Sequence, residues 1–260
     1  MSVLVMKFGG ASLSRPELFS HVADLIVLRS KQYESIVVVV SAMGDTTNQL
    51  LELAKAVHPN PPRREQDMMV SVGERISIAL LAMALSFQGK EAISLTGSQS
   101  GIVTTSEHSE AKILEVRPHR ILKHLKEGKI VIVAGFQGVS VEGEITTLGR
   151  GGSDTSAVAL GIALQADRVE FFKDVDGIYS EDPKKDPSAV QLPFLRYEEA
   201  LSIIEKGAKV LHARAVRLAA RNALPLHVLS FQIDEDGSMQ AGTWIGGQGE
   251  RACSVGVTYE

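Results

Sequence analysis

The chain has 260 residues, 44% of them hydrophobic with few aromatics, a Val/Ile/Leu/Ala/Gly-rich composition that fits one large packed α/β domain or two closely joined lobes. Its net charge of -4 gives no basic face for nucleic acid, the short Pro61-Pro62-Arg63-Arg64 segment being the densest basic run. Cys253 stands alone, the longest apolar run (Ile76 to Leu85) is too short to span a bilayer, and Met1 to Gly10 lacks a signal peptide's features. A cytoplasmic protein without disulfides, cysteine metal cluster, membrane or nucleic-acid partner is therefore expected.

Val3 to Phe8 reads as a buried strand running into Gly9-Gly10-Ala11-Ser12, a loop where phosphate can approach the backbone. Lys7, near the strand's C-terminal end, is either a solvated strand terminus or an ammonium placed against a transferring phosphoryl group. Pro16 to Ser30 has helical spacing and reads as scaffold. Ile36 to Val40 is a β-branched run, as in strands buried on both faces, and Ser41 to Asn48 leads from it into a helix over Gln49 to Ala56. Ser41 and Thr47 are either caps or donors to phosphate or substrate. His58 to Arg64 is expected to be a mobile surface loop. Ser71 to Arg75 opens an apolar helix over Ile76 to Phe87. The carboxylate of Glu74 there pairs with Arg75, complements the helix dipole, or grips a substrate ammonium. Glu91 to Leu95 and Ile130 to Ala134 read as strands and Gly97 to His108 as a loop or hairpin. Arg117 to Glu127 reads as an amphipathic helix, and Val139 to Thr147 as a hairpin.

That hairpin feeds Gly149-Arg150-Gly151-Gly152-Ser153-Asp154-Thr155-Ser156-Ala157, the stretch hardest to explain as scaffold. Ser153 and Asp154 open a helix over Ala157 to Leu164 whose free N–H groups face glycine-cleared space, as anion sites require. Arg150 suits phosphate or carboxylate, and Asp154 can hold a lysine or metal. Neither a Walker A motif nor G-x-G-x-x-G after a strand is present, so a nucleotide would be held another way. Arg168 to Lys173 is a strand ending in Asp174 to Lys184, which is either an ordinary β-turn and solvated acidic loop or, with its one aromatic and one basic group, a place for a purine ring and its phosphates. Tyr197 to Glu205 and Lys209 to Arg221 read as helices, placing the Lys209 ammonium in a first turn where it needs a compensating anion, such as phosphate, or easy access to water. Leu226 to Leu229 and Thr243 to Ile245 read as the last strands. His212 and His227 read as structural.

Six motifs in this order resemble the catalytic domain of aspartate kinase, within the amino acid kinase superfamily. They are Lys7-Phe8-Gly9-Gly10-Ala11-Ser12, Ser41-Ala42-Met43-Gly44 with Thr47-Asn48, Val72-Gly73-Glu74, Gly149 to Asp154, Asp174 to Tyr179 with Asp182-Pro183, and Gly207 to His212. The resemblance covers Met1 to about Ile245. It implies a three-layer α/β/α sandwich around a mainly parallel sheet, with the acceptor on an N-terminal lobe (about 1–150) and ATP on a C-terminal lobe (about 151–250). It implies catalytic roles for Lys7, Asp154, Lys209 and Arg150, Asp154 organising the lysines. Thr47, Glu74, Arg150, Gly151, Gly152 and Ser153 would hold L-aspartate. Lys7, Phe8, Gly9, Gly10, Ser41, Lys173, Asp174, Tyr179, Asp182, Lys184, Lys209 and Val210 would surround ATP, with Mg²⁺ held mainly by the nucleotide. The implied product is 4-phospho-L-aspartate, made by a homodimer. Another acceptor, such as glutamate or N-acetylglutamate, and a non-catalytic binding module are the alternatives. Ala11, Lys184 and Ala213 stand where Thr, Arg and Pro are usual. The 251–260 tail resembles the entry to an ACT domain, so the chain reads as a catalytic core, cut from a longer protein or naturally without a sensor.

Overall fold

The strands β1 (Val3–Phe8) and β2 (Ser35–Val40) are buried along their whole length, as β-branched runs are when helices cover both faces of a sheet. The computed structural model describes residues 2–181, 183, 186, 188–232, 241–247 and 259; Asp182, Lys184, Cys253 and all of the 251–260 tail but Tyr259 lie outside these. β1 and β2 join β3 (Ala92–Leu95), β6 (Ile130–Ala134), β9 (Arg168–Lys173), β12 (Phe194–Leu195), β13 (Leu226–Ser230) and β14 (Thr243–Ile245) in an eight-stranded sheet ordered β12-β14-β13-β9-β1-β2-β6-β3. Its neighbours are parallel except β13 and β14. A second sheet, β5-β4-β7-β8, comprises β4 (Ile102–Thr104), β5 (Ile113–Val116), β7 (Gln137–Ser140) and β8 (Ile145–Thr147), and β10 (Ile178–Tyr179) pairs antiparallel with β11 (Gln191–Leu192). The expected hairpin over Val139 to Thr147 is β7–β8, beginning two residues earlier.

Helices α1 (Pro16–Arg29) and α4 (Val72–Phe87) cover one face of the large sheet, meeting Leu4, Met6 and Phe8 of β1. Helices α5 (His119–Lys126), α6 (Gly152–Ala163), α7 (Tyr197–Glu205) and α8 (Ala213–Arg221) cover the other, meeting Val3 and Val5. This is the three-layer α/β/α sandwich that the resemblance implies.

Among the boundaries that differ from expectation, four bear on the site. Arg63 and Arg64 belong not to a loop but to α3 (Arg63–Val70), which Asp67 and Val70 anchor in the interior. With α4 it forms a nearly continuous 25-residue helical stretch, long and apolar enough by composition to cross a bilayer. Ile78, Leu81 and Leu85 nevertheless pack against the sheet, as in a core helix. Helix α2 (Thr46–Val57) begins three residues early and buries none of its side chains. Helix α6 begins at Gly152, so Ser153 and Asp154 lie inside its first turn. Helix α8 begins at Ala213, because His212 is extended and caps it with Nδ1, 3.4 Å from the N–H of Arg214. Lys209 is thus on the preceding loop, not in a helical turn.

Candidate active site

Strand parity assembles the charged centre. Successive side chains alternate between faces, so if Val3 and Val5 face α6, Lys7 does too. The same count puts Ser41 (after Val37 and Val39) and Lys173 (after Val169 and Phe171) on that side. β2, β1 and β9 are adjacent and parallel, so these three side chains emerge together at the carboxyl ends of neighbouring strands, where open α/β sheets hold ligands. The first turn of α6 meets them. Lys7 Nζ is 2.7 Å from Asp154 Oδ1, and Lys173 Nζ is 3.7 Å from Asp154 Oδ2. Ser41 Oγ is 2.9 Å from Ser153 Oγ.

Burial alone would raise the Asp154 carboxyl, but the two ammoniums and the backbone N–H of His212 outweigh it and hold it down at about 2. Burial, reinforced by Lys7, lowers Lys173 to about 8 despite the attraction of Asp154. The site therefore keeps a carboxylate ionised at the cost of crowding two cations around it. An arriving anion would relieve that crowding.

A second carboxylate sits across the β2–α2 loop. A Cβ at Gly73 would lie 2.7 Å from the Cβ of Ala42, so only glycine lets α4 come this near the loop. Glu74 then turns Oε1 to the Ala42 N–H at 3.1 Å, leaving Oε2 buried with no hydrogen-bond partner among the described residues. Burial pushes Glu74 up to about 7, with the backbone hydrogen bonds and Lys7 opposing. No ion pair with Arg75 forms among the described residues, and the bare oxygen is the feature a ligand ammonium would complete.

The motif between β8 and α6 is held from the C-terminal side. Gly151 has φ 74°, and a Cβ there would run into the His212 ring. Arg214 Nη1 donates to the Leu148 carbonyl at 2.8 Å. His212 was expected to be structural. Its ring does pack, on Gly151, but its N–H also reaches Asp154, a contact that its position just before α8 could have signalled.

The other expected site residues divide. Gly9 lies 3.7 Å, at its Cβ position, from Lys7 Nζ, and Gly10 accepts the Gly44 N–H at 3.0 Å, joining the β1 and β2 loops. Gly152 is buried, Thr47 is half-buried and Arg150 is exposed. The Phe8 ring belongs to the core, stacked 4.6 Å from Phe172, which leaves only its main chain for a ligand. Tyr179 donates its hydroxyl to Asp176 at 2.8 Å, Asp174 is exposed and Val210 packs against the core. Lys209 is exposed and makes no ion pair with Asp154 among the described residues; Lys173 occupies that position.

A sequence model of the amino acid kinase family matches residues 2–230. The aspartokinase of Corynebacterium glutamicum is 50% identical over 261 residues, a match covering 100% of this chain and 62% of the relative. That of Mycobacterium tuberculosis H37Rv is 50% identical over 244 residues, covering 94% and 58%. The chain thus spans about three fifths of these curated relatives. The crystal structure of aspartate kinase from Synechocystis superposes with a TM-score of 0.84 at 46% identity, covering 97% of this chain and 41% of that one. E. coli aspartokinase III in complex with aspartate and ADP gives 0.83 at 27%, covering 96% and 65%.

Proposed function

This chain belongs to the amino acid kinase family, and from that premise we propose that it transfers the γ-phosphoryl group of MgATP to the side-chain carboxylate of L-aspartate, giving 4-phospho-L-aspartate. The observation that carries the reading is the single carboxylate, Asp154, shared by the ammoniums of Lys7 and Lys173 beside the glycine loops. The aspartokinases at half identity and the E. coli structure with aspartate and ADP support the acceptor.

Glu74 takes the substrate ammonium on its bare Oε2, and Arg150 takes a carboxylate. Ser153, Thr47 and the N–H of Gly151 complete an acceptor pocket on the 1–150 side, with Gly152 shaping its wall while its own N–H donates to the Gly149 carbonyl at 2.9 Å. The 151–250 side holds the nucleotide through Asp174, Tyr179, Asp182, Lys184 and Val210, with Lys209 reaching its phosphates from the loop. The acceptor oxygen is already ionised at neutral pH, so no general base is needed; it attacks the γ-phosphorus in line as the bond to the β–γ bridging oxygen breaks. Lys7 and Lys173, fixed by Asp154, and the Gly9 and Gly10 backbone neutralise charge on the transferring group. Both Asp154 oxygens face ammoniums, so Mg²⁺ would be held by the nucleotide phosphates and would supply charge neutralisation at the transferring group.

Aspartate and ATP as the proposed substrates support a cytoplasmic reaction. Homodimerisation would cover the face of α4 that exposes Ile76, Met83 and Phe87 beside the edge strand β3. An ATP-coupled assay over aspartate, glutamate and N-acetylglutamate, with hydroxylamine trapping of the acyl phosphate, tests the function. Preference for either other acceptor, or no turnover at all, overturns it.

A further inference from the structure

Asp67 of α3 takes no part in the chemistry above, yet its fully buried carboxylate is saturated with donors. Oδ2 accepts from His108 Nδ1, the Ser109 N–H and the Thr147 N–H, each at 3.0 Å. Oδ1 accepts from Thr147 Oγ1 at 2.6 Å and Ser109 Oγ at 3.3 Å. A buried carboxylate is costly unless its lone pairs are satisfied. Here the donors come from two separate stretches of chain, which the acid draws onto α3.

Both stretches lead to the acceptor pocket. Ser109 is a non-glycine residue at φ 71°, a conformation that needs outside support. Its N–H and hydroxyl both find that support in Asp67. Its carbonyl is the surface on which the next loop rests: Gly149, also at φ 71°, comes so near that a Cβ would lie 2.9 Å from Ser109 O. Thr147 is three residues before Arg150, and its carbonyl accepts the Ala111 N–H at 2.9 Å, closing the two stretches on each other. On the other side, α3 passes through Ser71 into α4, and Glu74 follows Asp67 by two helical turns. Gln137 Nε2 donates to the Ser71 carbonyl at 2.8 Å and ties that junction to β7.

We infer that Asp67 is a positioning residue for the acceptor: by clamping Ser109 and Thr147 to α3 it sets where Arg150 and Ser153 stand relative to Glu74. The inference rests on the functional reading above, and the acceptor pocket, not the nucleotide site, is what it governs.

The test begins with the wild-type protein and aspartate. No turnover there sinks the functional reading itself. Given turnover, Asp67→Asn keeps the shape but turns one acceptor oxygen into a donor. Thr147→Val removes only the hydroxyl on Oδ1, whereas Thr147→Ser keeps it. A misplacement of about 1 Å costs roughly 100-fold, so we expect the KM for aspartate to rise about 10- to 100-fold in Asp67→Asn and less in Thr147→Val. The KM for ATP should stay within about twofold, and Thr147→Ser should restore the wild-type value. If Asp67→Asn does not fold, the Thr147 pair decides. An unchanged aspartate KM in the folded variants, a parallel rise in both KM values, or no rescue by serine overturns the inference.

Discussion

Glu74 and Lys173 both lose a proton close to neutral pH, and the proposed binding of acceptor and nucleotide would need both of them charged. Glu74, at about 7, must be ionised to take an ammonium, so kcat/KM for aspartate should rise with pH through 7. Lys173, at about 8, must be protonated to face phosphate, so the rate should fall above 8. One unit outside either limb the required form is about a tenth of the total, giving roughly tenfold losses near pH 6 and pH 9 and a maximum between 7 and 8. Full restoration of either group to its ordinary value on binding would couple about 3 kcal/mol to proton release at Glu74 or uptake at Lys173. The assay is initial rate against pH for wild type, Glu74→Gln and Lys173→Met. Each variant should lose its own limb, acidic for the first and alkaline for the second, at a lower plateau. Melting of the ligand-free protein is the control, because its slopes run the other way. A raised Glu74 keeps its proton longer in the folded chain, so its contribution to stability falls as pH climbs from 4.5 towards 7. A depressed Lys173 leaves the unfolded chain holding more protons between 8 and 10.5, so its contribution grows there. A flat wild-type profile from pH 6 to 9, or limbs that survive in both variants, refutes the reasoning.

Asp154→Asn should lower turnover about 1000-fold while leaving ADP affinity equal or higher, since phosphate then replaces the lost anion beside Lys7 and Lys173; calorimetric titration with MgADP checks this, and weaker ADP binding contradicts it. Gly151→Ala should abolish activity and lower the melting temperature, because φ 74° and the His212 ring leave no room for a methyl; near-wild-type kcat would be incompatible with the described loop. Glu170→Ala should cost about 3–5 kcal/mol in urea unfolding, because the fully buried acid holds Arg29 Nε at 2.8 Å and Arg168 Nη2 at 2.8 Å; a loss under about 1 kcal/mol counts against that pairing.

The sequence patterns that located the site were those with one physical cause. Two apolar runs followed by small residues, the second of them β-branched, marked the strands that deliver Lys7 and Ser41, and three glycines beside an arginine marked the loop before α6. What stayed hidden depends on contacts between distant residues. Lys173 read as the end of a strand, and only the register of β9 against β1 shows that it meets Asp154 and not merely the nucleotide loop. Asp67 carried no local signal, since its partners at 108–109 and 147 are about 40 and 80 residues away. The early end assigned to α8 failed for the same reason: Lys209 to His212 has helical composition, but the His212 ring is wedged against Gly151 and holds its own backbone extended. Local propensity loses where tertiary packing fixes a dihedral.

The charges explain why the site waits for both ligands. The amines of Lys7 and Lys173 share the one carboxylate of Asp154, and burial pushes Glu74 up to about 7 nearby. Without ligand, the protein relieves this by letting Lys173 fall towards 8, the cheapest adjustment open to a buried ammonium. If the proposed substrates bind as above, a phosphate would reverse it, and an acceptor ammonium on Glu74 would restore that carboxylate. Each ligand would thus fix the protonation of the residue it touches. The fully charged arrangement, with two ammoniums facing the transferring group, would be complete only with both bound. That would tie charge stabilisation to the ternary complex and leave water, which cannot supply an ammonium to Glu74, a poor substitute for the acceptor.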